Sequence, residues 1–473
     1  MRVVLINPAF NRYGGLEGHG GKQIPISLCY LAAYARREHP DIEFKIIDSD
    51  VRGITHAQTM AEAKAFSPNL IGITANTCVF DSVIDLIGFL REGVPGVPII
   101  IGGSHPTALP ARAMDESGAD FIALREAELS FSNLLVQLKS GDGDYAKING
   151  IGYRGGDGEL RFTPPQELIA DLDDIPFPAR DLVDNGIYAA APTKRVSAEP
   201  NTMIVGGRGC PYMCGFCSVQ TIFTRKIRYR KPKLVIDEME ECISRYGISS
   251  FAFTDEIFTS HKKRVKELCA EIVKRKIDVS WNCFARAHNL DRETLEAMRD
   301  AGCRKISFGI ESGNLEVLGN IDKTLDLEEA ERVVRLTKKV GIPTHASYIL
   351  GYLGENETSM KDTIRFAKKL NTEIAAFFIA SPLPGTRFYR EALEQGHLDE
   401  KAPWINYSPL SNHPSVYAAP GLSMETIRKW HRHAIRSYYL RPRYILSRLF
   451  GIRHWYDVKN ILGGIKFFFN IKS

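Results

Sequence analysis

Three features are missing from this sequence, and each absence argues against a class of protein. The 473 residues contain no apolar run long enough to cross a bilayer, which argues against a membrane-spanning protein. The first residues, Met1 to Ile6, have the pattern of a strand rather than of a signal peptide, so we expect a cytoplasmic protein with reduced thiols. A second C-x2-C or H-x3-H pair is also missing, which argues against a structural zinc site.

Three of the nine cysteines lie within one stretch of twelve residues, Gly206 to Cys217. Cys210, Cys214 and Cys217 have the spacing C-x3-C-x2-C, and thiolates at this spacing can bind three irons of one 4Fe–4S cluster. The fourth iron then stays open for a substrate. A zinc site is the weaker interpretation, and a disulfide would leave an odd cysteine. Most of the other cysteines are expected to be core thiols: Cys29, Cys78, Cys242, Cys269, Cys283 and Cys303.

Residues 1–145 alternate between short apolar strands and amphipathic helices. This alternation predicts βαβ units and a doubly wound parallel sheet. The strands are expected at Val3–Ile6, Phe44–Ile47, Leu70–Thr74, Pro98–Ile101 and Phe121–Leu124. Ligands of such sheets bind at the carboxyl ends of the strands, where small residues let a bulky ligand approach the backbone. A flavodoxin-like regulatory domain is the alternative interpretation.

Residues 146–195 are rich in Gly, Asp and Pro and are interpreted as a linker with one hairpin. Six strand-then-helix units follow over residues 196–395. Serial parallel units of this kind curl into a barrel, whose active site lies at the carboxyl ends of the strands. Between the second and third strands, Val265, Leu268, Cys269, Ile272 and Val273 have the spacing of one buried helical face.

The cysteine stretch resembles the C-x3-C-x-Φ-C signature of the radical S-adenosylmethionine (SAM) superfamily, with Phe216 as the aromatic residue. The resemblance implies a partial (β/α)6 barrel with the cysteine loop after its first strand. It also implies that the open iron of the cluster chelates SAM and that reduction releases a 5′-deoxyadenosyl radical. An external electron donor, similar to a flavodoxin or a ferredoxin, is then expected.

The same resemblance implies a SAM site at the following strand ends. Asp255 and Glu256 follow the second strand, where the family has an acidic element facing the ammonium group of SAM. Arg286 follows the third strand and could pair with the carboxylate of SAM. Glu311 lies in the element Gly309-Ile310-Glu311-Ser312-Gly313, which matches the G-I-E-S-G of this class. Alone, each of these is a weak signal, because acidic pairs and arginines are common on surfaces.

The first domain resembles the cobalamin-binding domain that precedes many radical SAM barrels. Thr74 lies where the family has S-x-L, and Gly102 and Gly103 match its Gly-Gly pair. The D-x-H-x-x-G element is absent after the first strand, which implies cobalamin without a histidine ligand from below. His105 is predicted either to contact the cofactor or to cap a turn.

Residues 396–473 form a basic and aromatic region. From Glu425 to Ser473 there are eleven Lys or Arg residues and two acidic residues. One interpretation is a helical cap over the barrel, and the other is a surface for peripheral contact with anionic lipid. No nucleic-acid partner is expected, because no recognition fold accompanies the charge.

The resemblance covers nearly the whole chain and implies a cobalamin-dependent radical SAM enzyme. It favours methylation of an unactivated carbon of a small-molecule or lipid substrate by means of the 5′-deoxyadenosyl radical and methylcobalamin. Oxidative cyclisation or rearrangement without methyl transfer is the first alternative, for a tetrapyrrole or a lipid. A cobalamin-binding module with an inert barrel is the second.

Overall fold

The computed structural model describes residues 1–10, 21–191, 194–196, 200–408, 415–449 and 458. Its strands are β1 (Arg2–Asn7), β2 (Gly21–Lys22), β3 (Glu43–Asp48), β4 (Leu70–Thr74), β5 (Ile99–Gly102), β6 (Phe121–Ala123), β7 (Ile151–Arg154), β8 (Leu160–Phe162), β9 (Ala189–Ala190), β10 (Asn201–Ile204), β11 (Gly207–Arg208), β12 (Arg228–Tyr229), β13 (Ser250–Phe253), β14 (Ser280–Ala285), β15 (Cys303–Glu311), β16 (Thr344–Leu350) and β17 (Ile374–Ile379).

The α-helices of the described residues are α1 (Ile26–Glu38), α2 (Ser49–Arg52), α3 (His56–Phe66), α4 (Phe80–Gly93), α5 (Ser104–Ala108), α6 (Pro110–Ser117), α7 (Glu128–Ser140), α8 (Val219–Ile222), α9 (Pro232–Tyr246), α10 (Lys262–Lys274), α11 (Arg292–Asp300), α12 (Leu315–Asn320), α13 (Leu327–Val340), α14 (Glu357–Leu370), α15 (Arg387–Glu394), α16 (Met424–Tyr439) and α17 (Pro442–Leu449). Short 3-10 helices connect some of them, at Thr77–Val79, Tyr145–Lys147, Leu172–Asp174, Arg180–Leu182, Asn185–Ile187, Phe258–Ser260 and Trp404–Tyr407.

The first sheet has the strand order β3-β1-β4-β5-β6-β7-β8, and its first five strands pair in parallel. The doubly wound sheet expected from the alternating pattern is therefore confirmed. Because β1 lies between β3 and β4, the chain leaves β1 and β4 in opposite directions, and a crevice opens at their carboxyl ends. This crevice is the expected ligand position in the first domain.

Two further strands of the first sheet lie within the predicted linker. β7 pairs antiparallel with β6, and β8 pairs antiparallel with β7, so that this hairpin extends the first sheet. The boundaries predicted at 145, 195 and 395 stay predictions.

The second sheet consists of β10-β13-β14-β15-β16-β17 in chain order, and all of its pairs are parallel. This is the six-stranded barrel that the serial units predict. On α10 the residues Val265, Leu268, Cys269 and Ile272 are buried, as expected. The expectation for Val273 was wrong, since its side chain is 53% exposed. It lies in the last turn of α10, at the margin of the apolar stripe, where the neighbouring helices no longer cover it.

The barrel is closed on one side by α16, which packs against β17. Tyr438 is fully buried there, and the hydroxyl of Tyr439 donates to the carbonyl of Ala375 at 2.9 Å. For α16 the interpretation as a helical cap is therefore confirmed. The aromatic residues at 455 and 467–469 lie outside the described residues. No helix of the described ranges is long and apolar enough to cross a membrane.

Five of the six scattered cysteines are buried, as expected for core thiols, and Cys78 is half-buried. Each of the nine cysteines is a free thiol, which excludes a disulfide among them in this structure.

Candidate active site

The cysteine loop begins at the carboxyl end of β10 and is anchored by a small hairpin. β11 pairs antiparallel with β12, and this pairing fixes the two residues before Gly209. Gly209 has φ +106°, and a Cβ there would lie 2.5 Å from the carbonyl oxygen of Lys226. Only glycine can therefore bring the chain to Cys210 along this path. The loop is further held by Gln220, whose amide donates to the carbonyl of Cys210 at 2.7 Å.

The three thiols lie close together at this strand end. Burial raises the pKa of Cys217 to about 11, with smaller contributions from the neighbouring thiols of Cys214 and Cys210. Burial likewise raises the pKa of Cys210, with a contribution from Cys214. A positively charged metal centre would instead lower the pKa values of these thiols, because it stabilises the thiolates.

The cysteine loop is not a preformed site for a single metal ion. Among the described residues, no group of three or more His, Cys, Asp or Glu side chains could hold one metal ion. The cysteines that bind a cubane are spread over three different irons and need not converge on one point. The structure therefore places Cys210, Cys214 and Cys217 together as the sequence predicts, while their role as cluster ligands stays a prediction.

Gly215 allows two other barrel elements to approach the cysteine loop. A Cβ at Gly215 would lie 2.6 Å from the hydroxyl oxygen of Tyr352 and 2.7 Å from Nη2 of Arg387. The amide of Gly215 donates to the carbonyl of Ile321 at 2.8 Å, and its carbonyl accepts from the amide of Phe388 at 2.9 Å. The loop is thus enclosed by the ends of β15, β16 and β17.

The acidic pair after β13 supports the same loop. Oδ1 of Asp255 accepts from the amide of Gly206 at 2.7 Å, whereas its buried Oδ2 has no hydrogen-bond partner. Oε2 of Glu256 accepts from the amide of Gly209 at 3.2 Å. Burial raises the pKa of Glu256 to about 7, with a contribution from Asp255. Contact of Asp255 and Glu256 with SAM stays a prediction.

Arg286 lies at the end of β14 and contacts the cysteine loop directly. Its guanidinium carbon lies 3.6 Å from the ring centroid of Tyr212, and Nη2 donates to the carbonyl of Thr324 at 2.7 Å. The buried Nε has no acceptor. A buried donor without a partner costs free energy, and a bound carboxylate could supply the missing acceptor. Tyr212 was not singled out in the sequence, because its partner lies more than seventy residues further along the chain.

Glu311 combines strained backbone with a buried ion pair. Its φ of +68° is unusual for a residue other than glycine, and the pairing register of β15 with β16 shifts at this point. Such outliers cluster at functional sites. Oε1 accepts from Nζ of Lys323 at 2.9 Å, and both side chains are buried. The sequence offered no signal for Lys323, since a lysine twelve residues away is most often on the surface.

The loop after β16 carries a second buried acid. Glu355 accepts hydrogen bonds from the amides of Gly351 and Tyr352, and burial raises its pKa to about 7. This loop follows the fifth barrel strand, where the adenine of SAM is expected from the family resemblance.

In the first domain, Thr74 and Gly102 pair with each other at the carboxyl ends of β4 and β5. Gly103 has φ +120°, and a Cβ there would lie 2.4 Å from the carbonyl oxygen of Ala75. Gly103 is therefore required because a side chain at this position would clash with the backbone of Ala75. The three residues lie beside the crevice between β1 and β4, and each has a short side chain or none.

His105, predicted either to contact the cofactor or to cap a turn, lies within α5. Its ring is fully buried, with centroids 4.0 Å from Phe80 and 4.3 Å from Trp404. Nδ1 lies 3.3 Å from Oγ1 of Thr77, and Nε2 has no partner. Burial lowers its pKa to about 3, so the ring is neutral. The structure gives His105 a packing role, and contact with a cofactor stays a prediction.

The carboxyl edges of the two sheets face each other. α5, which follows β5, packs against α8, which follows the cysteine loop. A Cβ on Gly385, at the end of the sixth barrel strand, would lie 3.1 Å from Cβ of Ala108 in α5. Ligands bound at the two edges would therefore share one space.

A buried ion-pair cluster joins these two edges. Arg208 lies two residues before Cys210, and it binds Glu126 and Glu128 of the first domain at 2.7 Å each. Arg228 on β12 binds the other oxygen of Glu126. Burial alone would raise the pKa of Glu128, but Arg208 outweighs burial and the pKa lies below its usual value. We refer to Glu126, Glu128, Arg208 and Arg228 as the interdomain cluster.

Comparisons with known proteins agree with this geometry. The model of the Radical SAM superfamily matches residues 204–367, and the model of the B12 binding domain matches residues 18–135. An uncharacterized methyltransferase of Pyrococcus horikoshii is 31% identical over 470 residues, which are 98% of each chain. The anaerobic magnesium-protoporphyrin IX monomethyl ester cyclase of Rubrivivax gelatinosus is 30% identical over 83% of this chain and 70% of its own.

The fold is also that of a solved structure. The radical SAM methyltransferase TsrM of Kitasatospora setae, with cobalamin and a 4Fe–4S cluster bound, superposes with a TM-score of 0.72. The identity is 20%, and the match covers 93% of this chain and 89% of TsrM.

The site and these relatives define a radical SAM enzyme with a cobalamin-binding domain. The chain belongs to the cobalamin-dependent, methyltransferase-like radical SAM family, some of whose members are named as cyclases. Its cofactors are a 4Fe–4S cluster, SAM and cobalamin. The sequence prediction of this class and of these cofactors is confirmed.

Proposed function

We propose that this enzyme methylates an unactivated carbon of a small organic or lipid substrate that is held between the two sheet edges. The observation that carries the proposal is the direct attachment of the cysteine loop to the cobalamin-binding domain through Arg208. When bound, the cluster with SAM supplies a 5′-deoxyadenosyl radical, and cobalamin supplies a methyl group.

The residues of this chain have three tasks in such a reaction. Cys210, Cys214 and Cys217 would hold the cluster, and the free acceptor of Asp255 and the free donor of Arg286 would orient the amino and carboxylate groups of SAM. The second task is the exclusion of water from the site, and the contact between the two sheet edges would perform it. The third is space for the substrate, which we propose to lie within the barrel beside the half-buried side chains Phe284 and Ser347.

The electron donor is proposed to bind beside Met213, whose side chain is 51% exposed between Cys210 and Cys214. A flavodoxin-like or ferredoxin-like protein at this position would be close to the cluster. Peripheral membrane contact through residues 396–473 is a separate proposal, developed below for the described part of that region.

The test is an anaerobic reaction with the reconstituted enzyme, a strong reductant, cobalamin and SAM whose methyl group carries ¹³C. A small-molecule cell extract provides candidate substrates, and mass spectrometry finds the products. We expect 5′-deoxyadenosine together with a product that has gained the labelled methyl group. 5′-Deoxyadenosine with an unlabelled product that has lost hydrogen would contradict methylation.

The second candidate is oxidative ring closure. The similarity to the cyclase of Rubrivivax gelatinosus favours it, because that match extends over most of both chains. The same experiment decides between the two, since ring closure transfers no label. An inert barrel would give no 5′-deoxyadenosine, and the intact cysteine loop argues against it.

A further inference from the structure

A basic cavity of about 590 Å³ lies on the barrel, far from the cysteine loop. It is formed by the last turns of α13 and α14 and by the segment between α16 and α17. Its lining includes six cationic side chains, which are Arg335, Lys338, Lys339, Lys368, Lys369 and Arg441. We refer to it as the basic cavity.

The charge of this cavity is large for its size. Among the described residues that line it, Glu331 is the only acidic one, so the six cations leave a formal charge of +5. The whole chain has the same net charge of +5, so the remaining ionisable residues sum to zero. The net charge of the whole protein is therefore equal to the net charge of the basic cavity. Charge so concentrated attracts anions over a distance of about one Debye length, roughly 8–10 Å.

Two of these cations share one acidic partner, and a third binds neutral acceptors. Glu331 is shared by Arg335 and Lys369. Arg441 donates to the carbonyl of Lys368 at 3.1 Å and to the side-chain oxygen of Asn371 at 3.0 Å, which are neutral acceptors. Burial lowers the pKa of Lys368, and the positive charge of Arg441 lowers it further.

The position of the cavity excludes a role in electron delivery. α13 and α14 end there, and barrel helices run antiparallel to the strands, so the cavity lies at the amino ends of the strands. The cysteine loop lies at the carboxyl ends. The seven residues of β16 separate the two ends by about 20 Å at ~3.3 Å per residue. A redox protein bound at the cavity would be too far from the cluster.

Exposed apolar side chains lie close in sequence to Arg441. Leu440 is 56% exposed, Ile445 is 43% exposed and Leu446 is 52% exposed. They lie within seven residues of the chain and flank Arg441, which lines the cavity. Neither a soluble anion nor a nucleic acid requires large apolar side chains next to the binding cations. An anionic membrane surface offers both phosphate groups and an apolar interior.

We propose that this face of the enzyme binds an anionic membrane surface, with lipid phosphates at the basic cavity and with Leu440, Ile445 and Leu446 entering the apolar boundary. The proposal does not depend on which reaction the enzyme catalyses.

The test is sedimentation of the full-length reconstituted protein with lipid vesicles. We expect binding to phosphatidylcholine vesicles that contain phosphatidylglycerol, and little binding to pure phosphatidylcholine. Lys339→Glu should weaken binding at least about fivefold, because each basic residue near such a surface contributes about 1 kcal/mol. Lys263→Glu is the matched control, since it makes the same charge change at an exposed residue near the opposite end of the barrel. It should bind as the unchanged protein does.

A second pair of variants tests the apolar contribution. Leu446→Gln should weaken vesicle binding, whereas Leu315→Gln, at a leucine that is 68% exposed on α12, should not. All four variants should still form 5′-deoxyadenosine with SAM and reductant, which shows that the protein is folded and separates this test from that of the reaction.

Three outcomes would overturn the proposal. The first is equal binding of Lys339→Glu and Lys263→Glu. The second is equal binding to anionic and neutral vesicles. The third is release of the protein from vesicles by millimolar glycerol phosphate at constant ionic strength, which would indicate a site for a soluble phosphate compound.

Discussion

The two sheet edges that face each other differ in chemistry. The barrel edge carries buried charges with free hydrogen-bonding atoms, at Asp255 and Arg286, and a strained glutamate at Glu311. The edge of the first domain carries short residues, Thr74, Gly102 and Gly103, and a neutral histidine between two aromatic rings. A small zwitterion such as SAM must be oriented by charge, whereas a large planar cofactor such as cobalamin needs space and an apolar surface. The contrast shows how one enzyme can hold both.

The largest effect is expected at the cysteine loop. Cys214→Ala should abolish the iron–sulfur absorbance and reduce 5′-deoxyadenosine formation to background, because two thiolates cannot retain the cluster. Cys78→Ala is the control, since this half-buried thiol lies outside the loop, and it should keep both signals. If Cys214→Ala formed 5′-deoxyadenosine at the normal rate, the proposed cluster site would be wrong.

The connection between the edges is tested at the interdomain cluster. Arg208→Gln removes a guanidinium that two buried carboxylates share, so the free energy of unfolding should fall by about 3–5 kcal/mol. Urea unfolding of the cofactor-free protein measures this change. Arg154→Gln breaks the exposed pair with Asp115 and should cost at most about 1 kcal/mol. Similar losses in the two variants would contradict a special role of Arg208.

The third prediction concerns the pH dependence of the barrel edge. The pKa of Glu355 is about 7 in the folded protein and about 4.5 in the unfolded chain, so folding favours its protonated form. Stability is therefore lost as the pH rises from about 4.5 to about 7. Glu355→Gln should raise the free energy of unfolding by about 1–3 kcal/mol at pH 8, with a smaller difference at pH 5. Equal effects at both pH values would show that Glu355 is ionised throughout.

The smallest effect is expected at the edge of the first domain. His105→Phe replaces one neutral buried ring by another, so stability should change by less than about 1.5 kcal/mol and cobalamin should still bind. Trp404→Ala removes a ring that packs against His105 and should cost about 3–5 kcal/mol. Loss of cobalamin from folded His105→Phe would instead show that the histidine contacts the cofactor.

Most of the fold and the positions of the main site residues follow from local sequence. The six barrel strands could be predicted because each is a short apolar run that ends in a distinctive element, such as Gly309 to Gly313. Arg208 and Tyr212 could not be predicted, since their partners are distant in the chain. Arg208 and Glu126, for example, are eighty-two residues apart. The packing of His105 under Trp404 was missed for the same reason, because almost three hundred residues separate the two rings. Lys323 lies only twelve residues from Glu311, but a lysine is most often on the surface and gave no signal.

The central claim is that the cluster and cobalamin bind at facing edges of one site. Electron paramagnetic resonance on protein that holds both the reduced cluster and cob(II)alamin tests it without a known substrate. We predict that the cluster accelerates the spin relaxation of cob(II)alamin, and that the acceleration disappears in Cys214→Ala. Identical relaxation in the two proteins, with both metals shown to be present in the unchanged enzyme, would contradict the account.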